Sequence, residues 1–320
     1  MRIGLLNNLR AGRNETRVHR LLGYLGSHPQ VAHVETSSAA VVPEALSELA
    51  RNEVELLVIN GGDGTLQHAL TEILGRGEFG ERVPLVAMLH GGRTNMTALD
   101  LGTQRDPVRA MASLIEAARS GQIRERTVER RVLHVRYGPG YESRYGMFFG
   151  AGVIHRGIEM VHRVFPPGRS QGVLGASLVT GALLGRLALF GDTHGVLTPD
   201  KVQMLVDGWP ADRGESRLVM ASTLDRLFLR MRPFWGSGPG GVRFTALAAN
   251  AKQLKRALPG ILSGRPGHVV TERNGYMSRN AKRVDLELGC GFTVDGELVE
   301  PWPGRILSIT ADKTLRFVRA

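Results

Sequence analysis

The apolar run Leu56-Leu57-Val58-Ile59 stops abruptly at Gly61-Gly62-Asp63-Gly64-Thr65. From Thr65 the apolar residues Leu66, Ala69, Leu70, Ile73 and Leu74 recur on one face of a helix. A buried strand therefore feeds a glycine loop, and the loop feeds a helix N-terminus. Glycine lets a backbone turn tightly and approach a ligand, and the N–H groups of a helix start attract phosphate. Asp63 is the discordant residue. A carboxylate among phosphate-seeking amides repels phosphate unless it holds a cation or takes a proton. The combination points to phosphoryl transfer rather than to phosphate binding alone. It leads to the expectation that Asp63→Ala abolishes transfer and leaves the fold intact.

At 320 residues the chain has room for two domains, and 42% hydrophobic with 22% charged residues is ordinary for a soluble globular protein. Cys290 is the single cysteine, so no internal disulfide forms and a reducing, cytoplasmic setting is expected. Met1 to Asn7 reads as a first strand, without the apolar core of a signal peptide. The formal net charge of +11 favours polyanionic partners such as nucleotides or anionic lipid surfaces. Scattered arginines, with no zinc-finger spacing or aromatic RNA-binding motif, argue against nucleic acid. The longest apolar stretch, Gly172 to Gly191, has the length of a membrane span, but Arg186 and five glycines interrupt it. It is expected to be a buried helix or one lining a lipid pocket.

The first 125 residues alternate strand and helix. Ile3–Leu6, Leu56–Ile59 and Leu85–Leu89 are short apolar runs suited to parallel strands buried on both faces, with Val31–Thr36 as a weaker strand. Helices are expected around Val18–Leu25, after Pro43, and from Asp106 as N-cap with Pro107 at the first helical position. This is a doubly wound α/β pattern, which binds ligands at the C-terminal ends of its strands. Gly61–Gly64 lies at such an end, as does His90-Gly91-Gly92-Arg93-Thr94-Asn95.

Beyond residue 125 the pattern changes to alternating segments: Val132–Tyr137, Arg217–Thr223, Val284–Leu288, Phe292–Val294, Ile306–Ile309 and Leu315–Val318. Helical stretches are expected near 172–190 and 246–262, and Arg232–Gly241 reads as a glycine- and proline-rich loop. The second domain is thus expected to be largely antiparallel β. Asp295-Gly296 is a favoured hairpin pair, which is one reading of that dipeptide; a catalytic role is the other. His68, His90, His155, His162 and His194 lack metal-ligand spacing, and no Gly-x-Ser-x-Gly elbow supports Ser-His-Asp chemistry.

These motifs together resemble the diacylglycerol kinase catalytic-domain superfamily, which includes bacterial lipid kinases and sphingosine kinases. Gly61-Gly62-Asp63-Gly64-Thr65 is its signature in the strand–loop–helix setting. Asn7 to Gly12 is similar to its first glycine-containing loop, with Asn8 where proline is usual. Gly92 and Asn95 fit its second nucleotide loop, and Asp295-Gly296-Glu297 resembles its closing motif. The second loop departs from the pattern: Arg93 stands for threonine, Thr94 for glycine and Met96 for aspartate. The Asp-Gly pair usual in mid-domain is not evident around Arg232–Leu247.

The resemblance implies an α/β nucleotide domain (1–125) and a β-sandwich-like lipid-substrate domain (126–320) whose last strands return toward a cleft between them. It implies an ATP-dependent lipid kinase acting in phospholipid metabolism on a diacylglycerol-like or sphingoid-like hydroxyl. The enzyme would be peripheral at the inner membrane face and compatible with a homodimer. Asn7, Gly12, Gly61, Gly62, Gly64, Thr65, Gly92, Arg93 and Asn95 would hold the nucleotide. Asp63 or Asp295 would be the base, and Glu297 with Asp295 would hold Mg2+. Two competing readings are an NAD kinase-like enzyme with a soluble substrate, and a degenerate kinase fold that binds nucleotide or lipid without turnover.

Overall fold

The computed structural model describes every residue except 13, 139–141, 165–194, 196–197, 212–213 and 301–303. The apolar segment Gly172–Gly191 and His194 lie outside the described residues. Among the described residues, no helix is long and apolar enough to cross a membrane. The chain divides into two compact units. One contains Met1–Arg130 and the C-terminal Thr314–Ala320; the other takes most of the chain between Arg131 and Lys313.

The first unit is a doubly wound α/β domain. Its parallel strands are β1 (Ile3–Asn8), β2 (Ala32–Thr36), β3 (Leu56–Gly61) and β4 (Leu85–His90), in the order β2-β1-β3-β4. Phe317, near the chain's end, pairs in parallel with Val86 and extends this sheet. Strands β3 and β4 are buried along their whole length. Helices α1 (Asn14–Leu25) and α5 (Pro107–Arg119) cover one face, where Leu21, Leu25, Met111 and Leu114 meet Ile3, Leu5, Val58 and Leu89. Helices α2 (Val42–Arg51) and α3 (Asp63–Leu70) lie between β2 and β3 and between β3 and β4, with Leu46, Leu49, Leu66 and Leu70 fully buried. Each such leucine contributes roughly 1.5–3 kcal/mol relative to exposure. Asp106 caps α5 as expected, accepting from the amides of Val108 and Arg109 at 3.0 Å each.

Three details differ from the sequence reading. Helix α3 begins at Asp63 rather than Thr65, so the aspartate sits inside the first turn. A short helix, α4 (Met96–Leu101), follows the second glycine loop; at six residues it is too short to carry a period. Helix α1 starts at Asn14, two residues after Gly12 and ahead of the expected Val18, and Asn14 is buried.

The second unit is antiparallel. Strands β5 (Thr127–Tyr137), β6 (Glu142–Gly146) and β7 (Phe148–Gly152) precede helix α6 (Val153–Val164). Then come β8 (Asp200–Val206), β9 (Trp209–Pro210), β10 (Glu215–Ser222), β11 (Val242–Ala248), helix α7 (Leu254–Ser263) and β12 (Tyr276–Ala281). Strands β13 (Arg283–Leu288), β14 (Phe292–Val294), β15 (Glu297–Val299) and β16 (Ile306–Val318) complete it. One sheet layer runs β15-β14-β7-β10-β11-β12 and another β8-β13-β16-β5-β6. The two meet where Glu215 and Ser216 pair with Lys201 and Asp200. Phe149, Val219 and Phe244 from the first layer share a core with Met204, Leu286 and Ile309 from the second.

Ile306–Ile309 and Leu315–Val318 are not two strands but one, running unbroken through Thr310–Thr314. Residues 246–248, expected to begin a helix, instead end strand β11, because Val242, Phe244 and Ala246 pack inward between β10 and β12, and the helix starts at Leu254. The loop Arg232–Gly241 is tied down. The Ser278 hydroxyl accepts from the amides of Trp235 and Gly236 at 3.1 and 3.0 Å, and a Cβ on Gly240 would lie 1.8 Å from the Ala281 carbonyl carbon. Its glycines allow backbone to lie directly on β12.

Cys290 is buried, and its thiol is pushed up to about 11 by desolvation first and then by Asp200. The folded protein therefore holds this proton to higher pH than the unfolded chain, and stability falls as the pH rises from about 9 through 11. Thermal melts should show this decline in the wild type and a shallower one in Cys290→Ala. Identical slopes would refute it.

Candidate active site

The site in the first unit is built where β1, β3 and β4 end. The register sets Asn7 beside Asn60 and Gly61 beside His90. Asn7 and Asn60 are fully buried, and Asn60 Nδ2 donates to Asn7 Oδ1 at 2.8 Å. Asn7 Nδ2 lies 3.2 Å from His33 Nε2. Asn14 Nδ2 donates to the carbonyls of Asn8 and Asn60 at 2.7 and 3.0 Å, tying α1 to both strand ends. Asn8 Nδ2 donates to the Thr65 hydroxyl at 2.9 Å. Asn7 is therefore part of a buried amide network and not a solvated strand end. Asn8, Asn14 and Asn60 belong to it too, although the sequence offered no signal beyond their nearness to glycines. Asn60 Oδ1 is a buried acceptor without a hydrogen-bond partner.

The glycines are required by contact. A Cβ on Gly61 would lie 2.6 Å from Thr65 Cβ, and one on Gly91 would lie 2.7 Å from the Gly61 amide nitrogen. A Cβ on Gly92 would lie 2.2 Å from Gly62 Cα, so the two glycine loops touch backbone to backbone. Gly12 faces the Arg93 side chain, whose Cγ would be 2.7 Å from a Cβ there. Gly62 is the N-cap of α3 and no side chain caps that helix. Gly64, in its first turn, is partly exposed. Glycine as N-cap offers no side-chain acceptor to the amides of the first turn, which suits a phosphate cradle.

Asp63 does not face that cradle. Its carboxylate is buried, with Oδ2 accepting from the Met96 amide at 2.9 Å and Oδ1 from the Thr97 amide at 3.0 Å. These are the first two residues of α4. Asp63 therefore caps α4 from another element, a place normally filled by the helix's own N-cap residue. That residue, Asn95, adopts a left-handed backbone (φ 53) and closes its own loop instead. Its Oδ1 accepts from the Gly92 amide at 2.8 Å and its Nδ2 donates to the Gly92 carbonyl at 2.6 Å. Burial raises the Asp63 carboxyl above its ordinary value, and the Thr97 and Met96 amides pull it back in part.

Asp295 and Glu297 lie in the second unit. Asp295 and Gly296, with φ of 51 and 93, form the two-residue turn between β14 and β15, so the hairpin reading of this dipeptide holds. Asp295 is buried all the same. Its Oδ2 accepts from the Met147 amide at 2.8 Å and its Oδ1 from the Phe148 amide at 2.9 Å, while its own amide donates to the Phe148 carbonyl at 2.9 Å. A Cβ on Gly146 would lie 2.4 Å from Asp295 Oδ2, so glycine is needed there. Glu297 is exposed, and a Cβ on Gly296 would meet nothing within 4 Å, so the turn is open on that side.

Each aspartate thus grips a pair of consecutive backbone amides in its own unit. Among the described residues no three acidic, histidine or cysteine side chains gather as a metal cage. Both oxygens of Asp63 already face amides, so a metal there would share that carboxylate with two N–H donors. Those of Asp295 are engaged in the same way. The exposed Glu297 carboxylate does fit, because Mg2+ commonly takes one or two carboxylates and fills its shell with phosphate oxygens and water.

Residues 2–125 match the family model described as diacylglycerol kinase catalytic domain. No curated protein matches the chain. Three solved structures from Bacillus anthracis str. Sterne are similar over the whole chain. One is of a diacylglycerol kinase, at 16% identity and a TM-score of 0.62, with 100% of this chain and 97% of that one covered. The other two carry the same assignment by inference. They show 17% and 16% identity and TM-scores of 0.65 and 0.64, at the same coverage. At such identities the likeness concerns the fold: an α/β domain followed by a β-rich region, shared from end to end. The family match thus lies within the N-terminal unit, and the fold is what the chain shares with the solved structures over its whole length.

Proposed function

We propose that this protein is an ATP-dependent lipid kinase that transfers the γ-phosphoryl group to a lipid hydroxyl. The observation that carries this reading is the backbone contact of Gly62 with Gly92 beside the uncapped start of α3. Two glycine loops pressed together leave only amides to face a ligand, and such a surface suits a polyphosphate. Arg93, held against Gly12 at its edge, adds positive charge. Phosphoryl transfer asks mainly for positioning and charge neutralisation, which such parts supply.

In this reading Asp63 is a positioning residue that fixes the second loop through α4. Asp295 takes the proton of the acceptor hydroxyl. It is held in one place by two amides, and its turn is open at Gly296. Glu297 is the residue that would hold Mg2+, and the ion when bound would supply charge neutralisation.

The test is transfer of radiolabelled phosphate from ATP to a panel of extracted lipids. Label in the organic phase is expected. Label in a soluble nucleotide product would favour the NAD kinase-like alternative, and nucleotide binding without transfer would favour a non-catalytic binder. The loop assignment has its own check. A Cβ on Gly62 would lie 3.2 Å from Gly92 Cα, so the branched side chain of Gly62→Val pushes the second loop away. ATP affinity should fall about tenfold or more, equivalent to about 1.4 kcal/mol. Unchanged affinity by calorimetry would count against the loop assignment.

A further inference from the structure

Leu229 and Arg230 are consecutive residues with left-handed backbone, at φ 54 and 59. Neither is glycine, and for a branched side chain such as leucine this conformation is unfavourable and needs a reason. The turn that holds them is closed by the Leu227 amide donating to the Met231 carbonyl at 2.8 Å and the Met231 amide donating to Phe228 at 3.2 Å. Leu227 is buried beneath, whereas Leu229 stands 59% exposed at the tip. The turn is braced by α7: the Arg232 amide donates to the Leu262 carbonyl at 2.8 Å, and Gly264 lies against the Arg232 carbonyl.

The two segments that form and brace this tip are basic. Residues 226–232 carry three arginines and no acid, and residues 252–265 carry four basic residues and no acid. Arg230, Arg232, Lys255, Arg256 and Arg265 are exposed. Helix α7 is amphipathic: Ala257 and Ile261 pack inward with Tyr276, and its charges face solvent. The neighbouring acids are already engaged, Asp225 with Arg243 and Glu272 with Arg279.

We propose that the Leu227–Arg232 turn and α7 form a docking surface for an anionic membrane, with Leu229 inserted between lipid headgroups and the surrounding arginines on their phosphates. An exposed apolar tip flanked by arginines and braced by a basic helix matches the two layers of a bilayer surface, apolar beneath and anionic above. A soluble polyanion would use the charges but leave Leu229 without a role. The proposal deepens the lipid-kinase reading by naming how the enzyme meets its acceptor. Its test requires neither nucleotide nor turnover, so the two can fail separately.

The experiment is co-sedimentation of the full chain with phosphatidylcholine vesicles, with and without about one third phosphatidylglycerol. Binding is expected only with the anionic lipid. The double reversal Arg230→Glu/Arg232→Glu should weaken it about tenfold or more. Leu229→Gly separates insertion from folding, because glycine accepts the left-handed backbone. It should raise the melting temperature and yet weaken vesicle binding about fivefold. Unchanged binding by Leu229→Gly would overturn insertion, and displacement of the vesicles by duplex oligonucleotide would then assign the surface to a soluble polyanion. Wild-type binding by the charge-reversed variant, or equal binding to neutral vesicles, would overturn the proposal.

Discussion

Asp63→Ala is expected to lose stability as well as activity. The side chain is buried and its two oxygens hold the amides of Met96 and Thr97. Removing it leaves two buried donors unpaired, each costing roughly 1–3 kcal/mol, and α4 without a cap. Release of a desolvated carboxylate offsets part of this. A net loss of about 2–4 kcal/mol follows, or roughly 5–12 °C in Tm for a unit of this size. Asp63→Asn keeps one acceptor and turns an NH2 toward the other amide, so it should fall between. The pH dependence has a definite sign. Burial raises the folded-state pKa, so the folded protein holds the proton longer than the unfolded chain. The stability associated with the neutral form is then lost as pH rises through that raised value. Thermal melts and ATP turnover on the same preparations decide the matter. A variant with the wild-type Tm and no activity would show that the carboxylate acts on substrate, as the sequence reading first held.

Gly92→Ala should be the more damaging of two glycine substitutions on either side of α4. A Cβ at Gly92 would sit 2.2 Å from Gly62 Cα, and no side chain can rotate out of the way because the obstacle is backbone. The two loops must part, which costs about 1–3 kcal/mol or more by overpacking. Parting them also dismantles the proposed phosphate cradle, so ATP affinity should fall about 100-fold, equivalent to about 2.7 kcal/mol. Gly102, which ends α4 at φ 75, provides the control: a Cβ there meets nothing within 4 Å. Gly102→Ala should therefore show only the modest penalty of a left-handed alanine, about 1–2 kcal/mol, and bind ATP normally. Equal ATP affinity in the two variants would refute the contact between the loops as the basis of the site.

Much of the α/β unit was legible because its signals are local. Buried parallel strands read as apolar runs, and Asp106-Pro107 marks a helix start through contacts within three residues. The second unit was less legible. Strands β7 and β11 contain glycine, alanine and threonine, and they become strands through their neighbours on both sides. Strand β16 was divided in the reading because Asp312 and Lys313 interrupt its apolar pattern, yet its backbone pairing continues through them. The amide contacts of Asn8, Asn14 and Asn60 were missed because an asparagine near a glycine loop reads as a turn residue, and their partners lie on other elements.

The sequence by itself determined the glycine loop after β3, the helix that follows it and the Asp-Gly turn near the end. Propensity and spacing specify these over a few residues. Only the tertiary structure decided what the two aspartates hold. Asp63 reaches amides more than thirty positions ahead, and Asp295 reaches amides nearly one hundred and fifty positions back. Those partners are set by which strand ends lie side by side. A carboxylate's role depends on the donors that packing places around it, and no local pattern encodes them.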